Sequence, residues 1–216
     1  MTSILLRKIA EKYPLKAIDA GEFFSLSAAG MKFEISAYYA EGLGHVSLMN
    51  AKGFFGLMKM DTLIINPIEL DLPLYSYDRI FAMGNDTLIV ELYDTLLGDY
   101  SEAGMQEVKA RGGYSSLTER DPGEHWYDSI KLPSSISKKG KKKQTALMDS
   151  LTEQHFEAYI ASSSAPVTDK AAKQAKASVY VNGLIEKGGP STDVFKKSIG
   201  EEKTRALFEN ILFGTK

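Results

Sequence analysis

Apolar residues recur at every second position of Met31-Lys-Phe-Glu-Ile-Ser-Ala-Tyr38, which turns Met31, Phe33, Ile35 and Ala37 to one side of an extended strand. Glu22 to Ser27, His45 to Asn50 and Phe54 to Ile65 read as further strands, with Gly30, Gly42, Gly44 and Gly53 at the turns between them. Arg79 to Met83 and Thr87 to Tyr93 flank Gly84-Asn85-Asp86, a three-residue hairpin connection. Before these strands, Ile4, Leu5, Lys8 and Ile9 sit at helical spacing, and Pro14 stops that helix. The first half is thus predicted to be an antiparallel meander behind a short opening helix.

From Ser101 the period changes. Ser101 to Arg111 reads as a short helix ended by Gly112-Gly113, and a polar, irregular stretch then runs to Gln144 around Lys138-Lys-Gly-Lys-Lys-Lys143. Thr145 can cap a helix that places Leu147, Met148, Leu151, His155 and Tyr159 on one side, and Ser162-Ser-Ser-Ala-Pro166 breaks it. A second helix opens at Thr168 and runs through Ala172, Ala175, Val179 and Ile185. Pro190 suits the first position of a third, with Val194, Phe195 and Ile199 inward. Gly200 ends it, and Glu201-Glu202 begin the last helix, which buries Leu207, Phe208, Ile211 and Leu212. Strands followed by helices imply an α+β fold with helices over an antiparallel sheet.

Composition narrows the function. With 216 residues and no internal break, one domain over residues 1–216 is expected. A formal charge of −2, from 26 basic and 28 acidic residues, gives no overall field for nucleic acid or an anionic membrane, so any basic site must be local. The absence of cysteine excludes thiol nucleophiles, disulfides and cysteine-ligated clusters, so electrons, if handled, come from elsewhere. Only three consecutive apolar residues precede Arg7-Lys8, too few for a signal peptide, and a soluble, cytoplasmic protein is expected. No phosphate-binding or dinucleotide loop, no Gly-x-Ser-x-Gly and no paired histidines occur; His45, His125 and His155 stand apart.

One segment points further. Asn66-Pro-Ile-Glu-Leu-Asp-Leu-Pro-Leu-Tyr-Ser-Tyr-Asp-Arg-Ile80, followed by Leu88-Ile-Val-Glu-Leu-Tyr-Asp94, resembles the core of the ferredoxin-dependent bilin reductases. In that family an Asp-Leu-Pro-apolar-aromatic turn precedes an Asp by three residues. Val179-Tyr-Val-Asn-Gly, Gly189-Pro190, Phe195-Lys-Lys-Ser-Ile-Gly-Glu-Glu202 and Phe208-Glu-Asn-Ile-Leu-Phe213 are similar to its C-terminal part, and Glu124 to Pro133 is a weaker match between. With the related red chlorophyll catabolite reductases, the family implies a three-layer α/β/α sandwich around a mainly antiparallel sheet. It also implies reduction of an open-chain tetrapyrrole by single electrons from external ferredoxin or flavodoxin, with no bound cofactor and carboxylic acids as proton donors.

Residue by residue, Asp78 stands where the family has its proton donor; its other reading is a strand-end turn cap. Asp61, between Met60 and Thr62, falls where some members carry a histidine, and is expected to approach Asp78 across the sheet. Tyr75 and Tyr77 are expected near the pocket, and Lys139 near a propionate-binding position. The Lys138–Lys143 run reads as a solvated loop or as a dock for an acidic electron-transfer protein. Two departures stand out. Gly189 replaces an acid before the Pro of the family, and Lys203 replaces a Trp. These leave three readings open: a bilin-reductase-type oxidoreductase, a non-catalytic tetrapyrrole-binding protein, and an interaction domain with a basic docking loop. None involves nucleic acid or a membrane.

Overall fold

The computed structural model describes the backbone of residues 1–216 and every side chain except that of Pro190. A helix, α1 (Thr2–Ala10), precedes seven strands: β1 (Leu15–Ile18), β2 (Ser25–Ala28), β3 (Met31–Ala40), β4 (Gly44–Gly53), β5 (Met58–Pro67), β6 (Leu74–Ala82) and β7 (Asn85–Tyr93). There follow α2 (Ala103–Ala110), β8 (Thr118–Glu119), β9 (Ile136–Lys141), α3 (Thr145–Ala161), α4 (Lys170–Lys187), α5 (Pro190–Ile199) and α6 (Glu201–Ala206). The last helix widens into a π-helical turn over Leu207–Leu212. All nine strands join one antiparallel sheet in the order β1-β3-β4-β5-β6-β7-β9-β8, with β2 beside β1 on the same flank of β3.

The period of 2 divides the strand residues between two cores. Val46, Leu63, Ile65, Tyr75, Tyr77, Leu88 and Val90 turn to one face, where α1, α2 and α3 cover them through Leu5, Met105, Leu151 and Phe156. Phe33, Ile35, Met49, Ile64 and Tyr93 turn to the other, under Tyr180, Leu184, Phe195, Phe208 and Phe213 of the C-terminal helices. The fold is therefore the expected α+β, three-layer α/β/α sandwich. Among the described residues no helix is long and apolar enough to cross a membrane.

Local departures have local causes. Glu22 lies in a 3₁₀ turn (Gly21–Phe24), and β2 starts only at Ser25. The β6–β7 turn is Met83-Gly84 rather than three residues; both have positive φ (50° and 75°), the two-residue geometry that fits strand twist. The lysine-rich stretch, read as a loop, is largely strand. Lys138 packs its stem into the sheet with its ammonium on Glu119, while Lys139 on the opposite face is exposed. Thr145 begins α3 without capping it, because its hydroxyl donates to Asp86 Oδ2 at 2.8 Å. On α4 the buried stripe is Lys173, Ala177, Tyr180, Val181 and Leu184, so Ala175 and Val179 face outward. Asp169 caps this helix by accepting from the Ala172 N–H.

Lys173 shows why the Asp-Leu-Pro turn matters to the fold. Its buried ammonium donates to Asp71 Oδ1 at 2.9 Å and to the Leu72 carbonyl at 2.6 Å, while Asp71 also accepts from the Leu97 and Gly98 N–H groups. This knot fixes α4 to the segment that leads into β6, and so fixes the helices over the sheet.

Candidate functional site

Between the sheet face of β4–β7 and the C-terminal helices lies a cavity of about 210 Å³, open on one side. Its floor consists of alternate strand residues: Met60, Thr62 and Ile64 of β5, Ser76, Asp78 and Ile80 of β6, and Ile89, Glu91 and Tyr93 of β7. The helices supply Tyr180, Leu184, Phe208 and Leu212, and the segment before β9 supplies Arg120, His125 and Tyr127. Along β5 the floor passes from buried Ile64 and Thr62 to half-buried Met60, so the slot is deepest away from the hairpin turns. Sites that enclose a small molecule usually span about 300–1,000 Å³. A ligand larger than the cavity volume must project through the open side.

Asp78 rises from the middle of this floor. Thr62, its partner across the β5–β6 register, donates its hydroxyl to Asp78 Oδ1. What exposure Asp78 has faces the cavity, and the dense walls desolvate its carboxylate. Burial is the largest cause that pushes its pKa up to about 6; the Glu91 charge adds to the rise and the Thr62 bond opposes it. Glu91 is the second carboxylate of the cavity. It accepts from Tyr93 Oη at 2.6 Å, with Lys131 Nζ at 3.8 Å.

Aromatic rings build one wall. Tyr93 and Tyr180 lie 4.2 Å apart between centroids, Tyr127 meets both edge-on, and His125 stacks on Tyr127 at 4.9 Å. Burial holds the Tyr93, Tyr127 and Tyr180 hydroxyls protonated, well above 10. Trp126 braces this wall from behind by donating Nε1–H to the Gly188 carbonyl at 3.0 Å. Its ring lies where a Cβ on Gly183 would come within 2.2 Å, so that helix position must be glycine. Buried Nδ1 of His125 has no hydrogen-bond partner, an unusual state for a group beside a cavity.

The predicted site residues divide between the two faces. Asp78 and Gly189 line the cavity. Gly189 has extended backbone (φ −173°, ψ 161°), as expected before a proline, and a Cβ there would meet Leu184 Cδ2 at 3.0 Å. Lys139 lies on the same sheet face, one step beyond Ser137, near Arg120, which donates to Ser137 Oγ at 3.4 Å. Asp61 does not approach Asp78. The register pairs it with Arg79, and a one-residue offset places it on the other side of the sheet. Tyr75 and Tyr77 are also on that far side, both fully buried, with the Tyr75 ring against Phe156 and Tyr159, and neither lines the cavity. Thr62, Glu91, Arg120 and His125 were not picked out from the sequence. Counting the register outward from the Met83-Gly84 turn would have put Glu91 opposite Ser76, on the Asp78 face.

The raised Asp78 pKa makes stability depend on pH. Its folded value, about 6, exceeds the ordinary 3.8, so the folded state holds this proton more tightly than the unfolded chain. The contribution is fully present below about pH 4 and is lost as pH rises through 6. Asp78→Asn keeps the volume without the charge. Urea unfolding should find it close to wild type at pH 4 and more stable by on the order of 2 kcal/mol at pH 8. An equal difference at both pH values would contradict the burial of this carboxyl.

No protein-family model matches the chain, and no curated protein matches it in sequence. Solved structures do match, and they define the class as the three-layer sandwich described above. Among them is phytochromobilin synthase from tomato in complex with biliverdin. Its TM-score is 0.76 at 16% identity, over 99% of this chain and 82% of that one. The likeness is one of fold.

Proposed function

We propose that this protein binds an open-chain tetrapyrrole in the slot between the sheet and the C-terminal helices. There it reduces the ligand with single electrons from an external ferredoxin or flavodoxin. The observation that carries this reading is Asp78, a carboxylic acid with a raised pKa in the floor of an aromatic cavity. The shared fold with a protein crystallised with biliverdin supports it.

Saturating one double bond of a conjugated tetrapyrrole consumes two electrons and two protons. The electrons come from the donor protein. Each added electron raises the basicity of the ligand, so an acid within hydrogen-bond reach must deliver a proton in step. In our reading Asp78 delivers one and recovers it from solvent, and Glu91, the other carboxyl on the floor, serves the second. Tyr93, Tyr127 and Tyr180 flank the flat ligand. Arg120 and Lys139, at the open side, meet its propionates, and the exposed Lys139 face is also where an acidic donor would approach.

Absorption titration with biliverdin tests binding. We expect a saturable spectral shift, weakened about tenfold by Arg120→Met, which removes one charge-assisted contact. A flat titration would end the tetrapyrrole reading. Gly189 supports a second reading, that of a carrier, because the position where the family has its other acid holds none. Anaerobic incubation of the biliverdin complex with reduced ferredoxin separates the two, since a carrier leaves the bound spectrum unchanged.

A further inference from the structure

We infer that the end of the sheet formed by the β4–β5 and β6–β7 turns is a docking surface for an anionic lipid membrane. Four of the large apolar side chains most open to solvent collect there: Phe54, Phe55, Leu57 and Met83, with exposures of 53%, 108%, 69% and 90%. The two turns adjoin. Met58 and Ala82 are the last partners of the β5–β6 pairing, which sets Leu57 and Met83 side by side just beyond it. Phe54, Phe55 and Met83 also hold left-handed backbone (φ 52°, 55° and 50°). Non-glycine residues at such positions cost conformational energy, and bulky apolar ones rarely occupy them. The two-residue turn accounts for the Met83 backbone, but in the isolated protein no packing rewards the exposure of Phe55 and Met83.

Cations surround this apolar tip. Lys32, Lys52 and Lys59 form one cross-strand row on β3, β4 and β5, all exposed. Like charges directly opposite each other repel, so the row costs stability unless an anionic surface meets it. On the other flank Lys142 and Lys143 are exposed, and the Lys142 N–H donates to the carbonyl of Gly84 in the turn itself. The acidic residues nearest the row, Glu34 and Asp61, lie two positions further in along their strands, and Glu34 accompanies Lys32 at 3.5 Å. A whole-chain charge of −2 conceals this local excess.

Charge and the small number of apolar groups favour a bilayer over a protein partner. Phe54 and Phe55 border an open, shallow recess with Gly30 and Lys52, and Met83 stands at the neighbouring turn, whereas a stable protein interface needs roughly 800 Å² per partner of complementary surface. Aromatic and aliphatic tips ringed by lysines fit the boundary between headgroups and acyl chains of an anionic leaflet. The slot is shallowest at this same end, so an apolar ligand could pass from the bilayer to the cavity without crossing much water.

The test is cosedimentation of the full chain with vesicles of phosphatidylcholine, alone or with about a third phosphatidylglycerol, in 0.1 M salt. Wild type should pellet with the anionic vesicles and remain in solution with neutral ones. Phe54→Ser/Phe55→Ser and Lys52→Glu/Lys59→Glu should each lower binding at least tenfold. These residues are exposed, so both variants should keep the wild-type circular dichroism and melting temperature. The proposal fails if wild type stays in solution with anionic vesicles. It fails equally if the phenylalanine variant binds as well as wild type and polyglutamate competes fully, the behaviour of a purely ionic site for an acidic protein. Neither result depends on whether a tetrapyrrole binds.

Discussion

Asp86→Ala is expected to lower the unfolding free energy by about 3–5 kcal/mol, the usual cost of leaving one partner of a buried ion pair alone. Asp86 and Arg79 are both essentially inaccessible to solvent. Arg79 Nε and Nη2 grip the two carboxylate oxygens, the second at 2.7 Å, and Nη2 also reaches the Thr145 carbonyl and Asp149 Oδ1, each at 3.3 Å. Thr145 Oγ1 completes the set on Asp86 Oδ2. The cluster thus ties β6, β7 and the first turn of α3 together. Truncating the carboxylate leaves the guanidinium only the longer contacts of Nη2 to half-exposed Asp149 and the Thr145 carbonyl, and its Nη1 already lacks a partner. Urea unfolding measures the loss, and Arg79→Met in the Asp86→Ala background should restore part of it, because no buried charge then remains. A loss below about 1 kcal/mol would mean that water reaches the guanidinium.

That cluster also marks the limit of what could be read beforehand. Alternation in Met31 to Tyr38 was unambiguous because β3 has one buried and one exposed flank along most of its length. The C-terminal helices were legible for the same reason, except that α4 buries Lys173 in its apolar stripe and so blurs the periodicity on which its inward face was assigned. Arg79 was read only as the start of a strand and Asp86 as part of the hairpin connection, since a sequence does not reveal that two opposite charges meet in a dry interior. β9 was hidden by its lysines: alternation there is Ile136, Lys138, Gly140 inward, and a buried lysine stem counts as polar in any pattern.

The site was half legible for a related reason. Asp78 and Gly189 could be placed by resemblance, as single positions in short motifs. Their surroundings depended on register, which a motif does not carry. A slip of one residue exchanges the two faces of a strand, and it moved Asp61, Tyr75 and Tyr77 out of the cavity while bringing Thr62 and Glu91 in. Arg120 and His125 come from a stretch with little regular structure, where no periodicity exists to project them onto the sheet.

Reduction of biliverdin under anaerobic conditions should fall by two orders of magnitude or more in Asp78→Asn, while affinity for the ligand stays within about tenfold. The separation follows from what the amide keeps and loses. Asn preserves the volume in the floor of the slot, so the walls formed by Tyr93, Tyr127 and Tyr180 remain in place. It cannot cycle a proton, and a positioned general acid is worth about 10²–10⁴ in rate. A loss confined to turnover is the signature of an interaction made in the transition state rather than in binding. The pH dependence supplies a second, independent reading of the same group. With its pKa pushed up to about 6, Asp78 holds its proton in mildly acid solution and gives it up above. Wild-type reduction should therefore slow as pH rises through about 6, and whatever rate survives in Asp78→Asn should not show that step. An Asp78→Asn protein that reduces biliverdin at the wild-type rate, with the same pH profile, would place the proton donor elsewhere in the slot, where Glu91, His125 and the Tyr93, Tyr127 and Tyr180 hydroxyls also carry exchangeable protons.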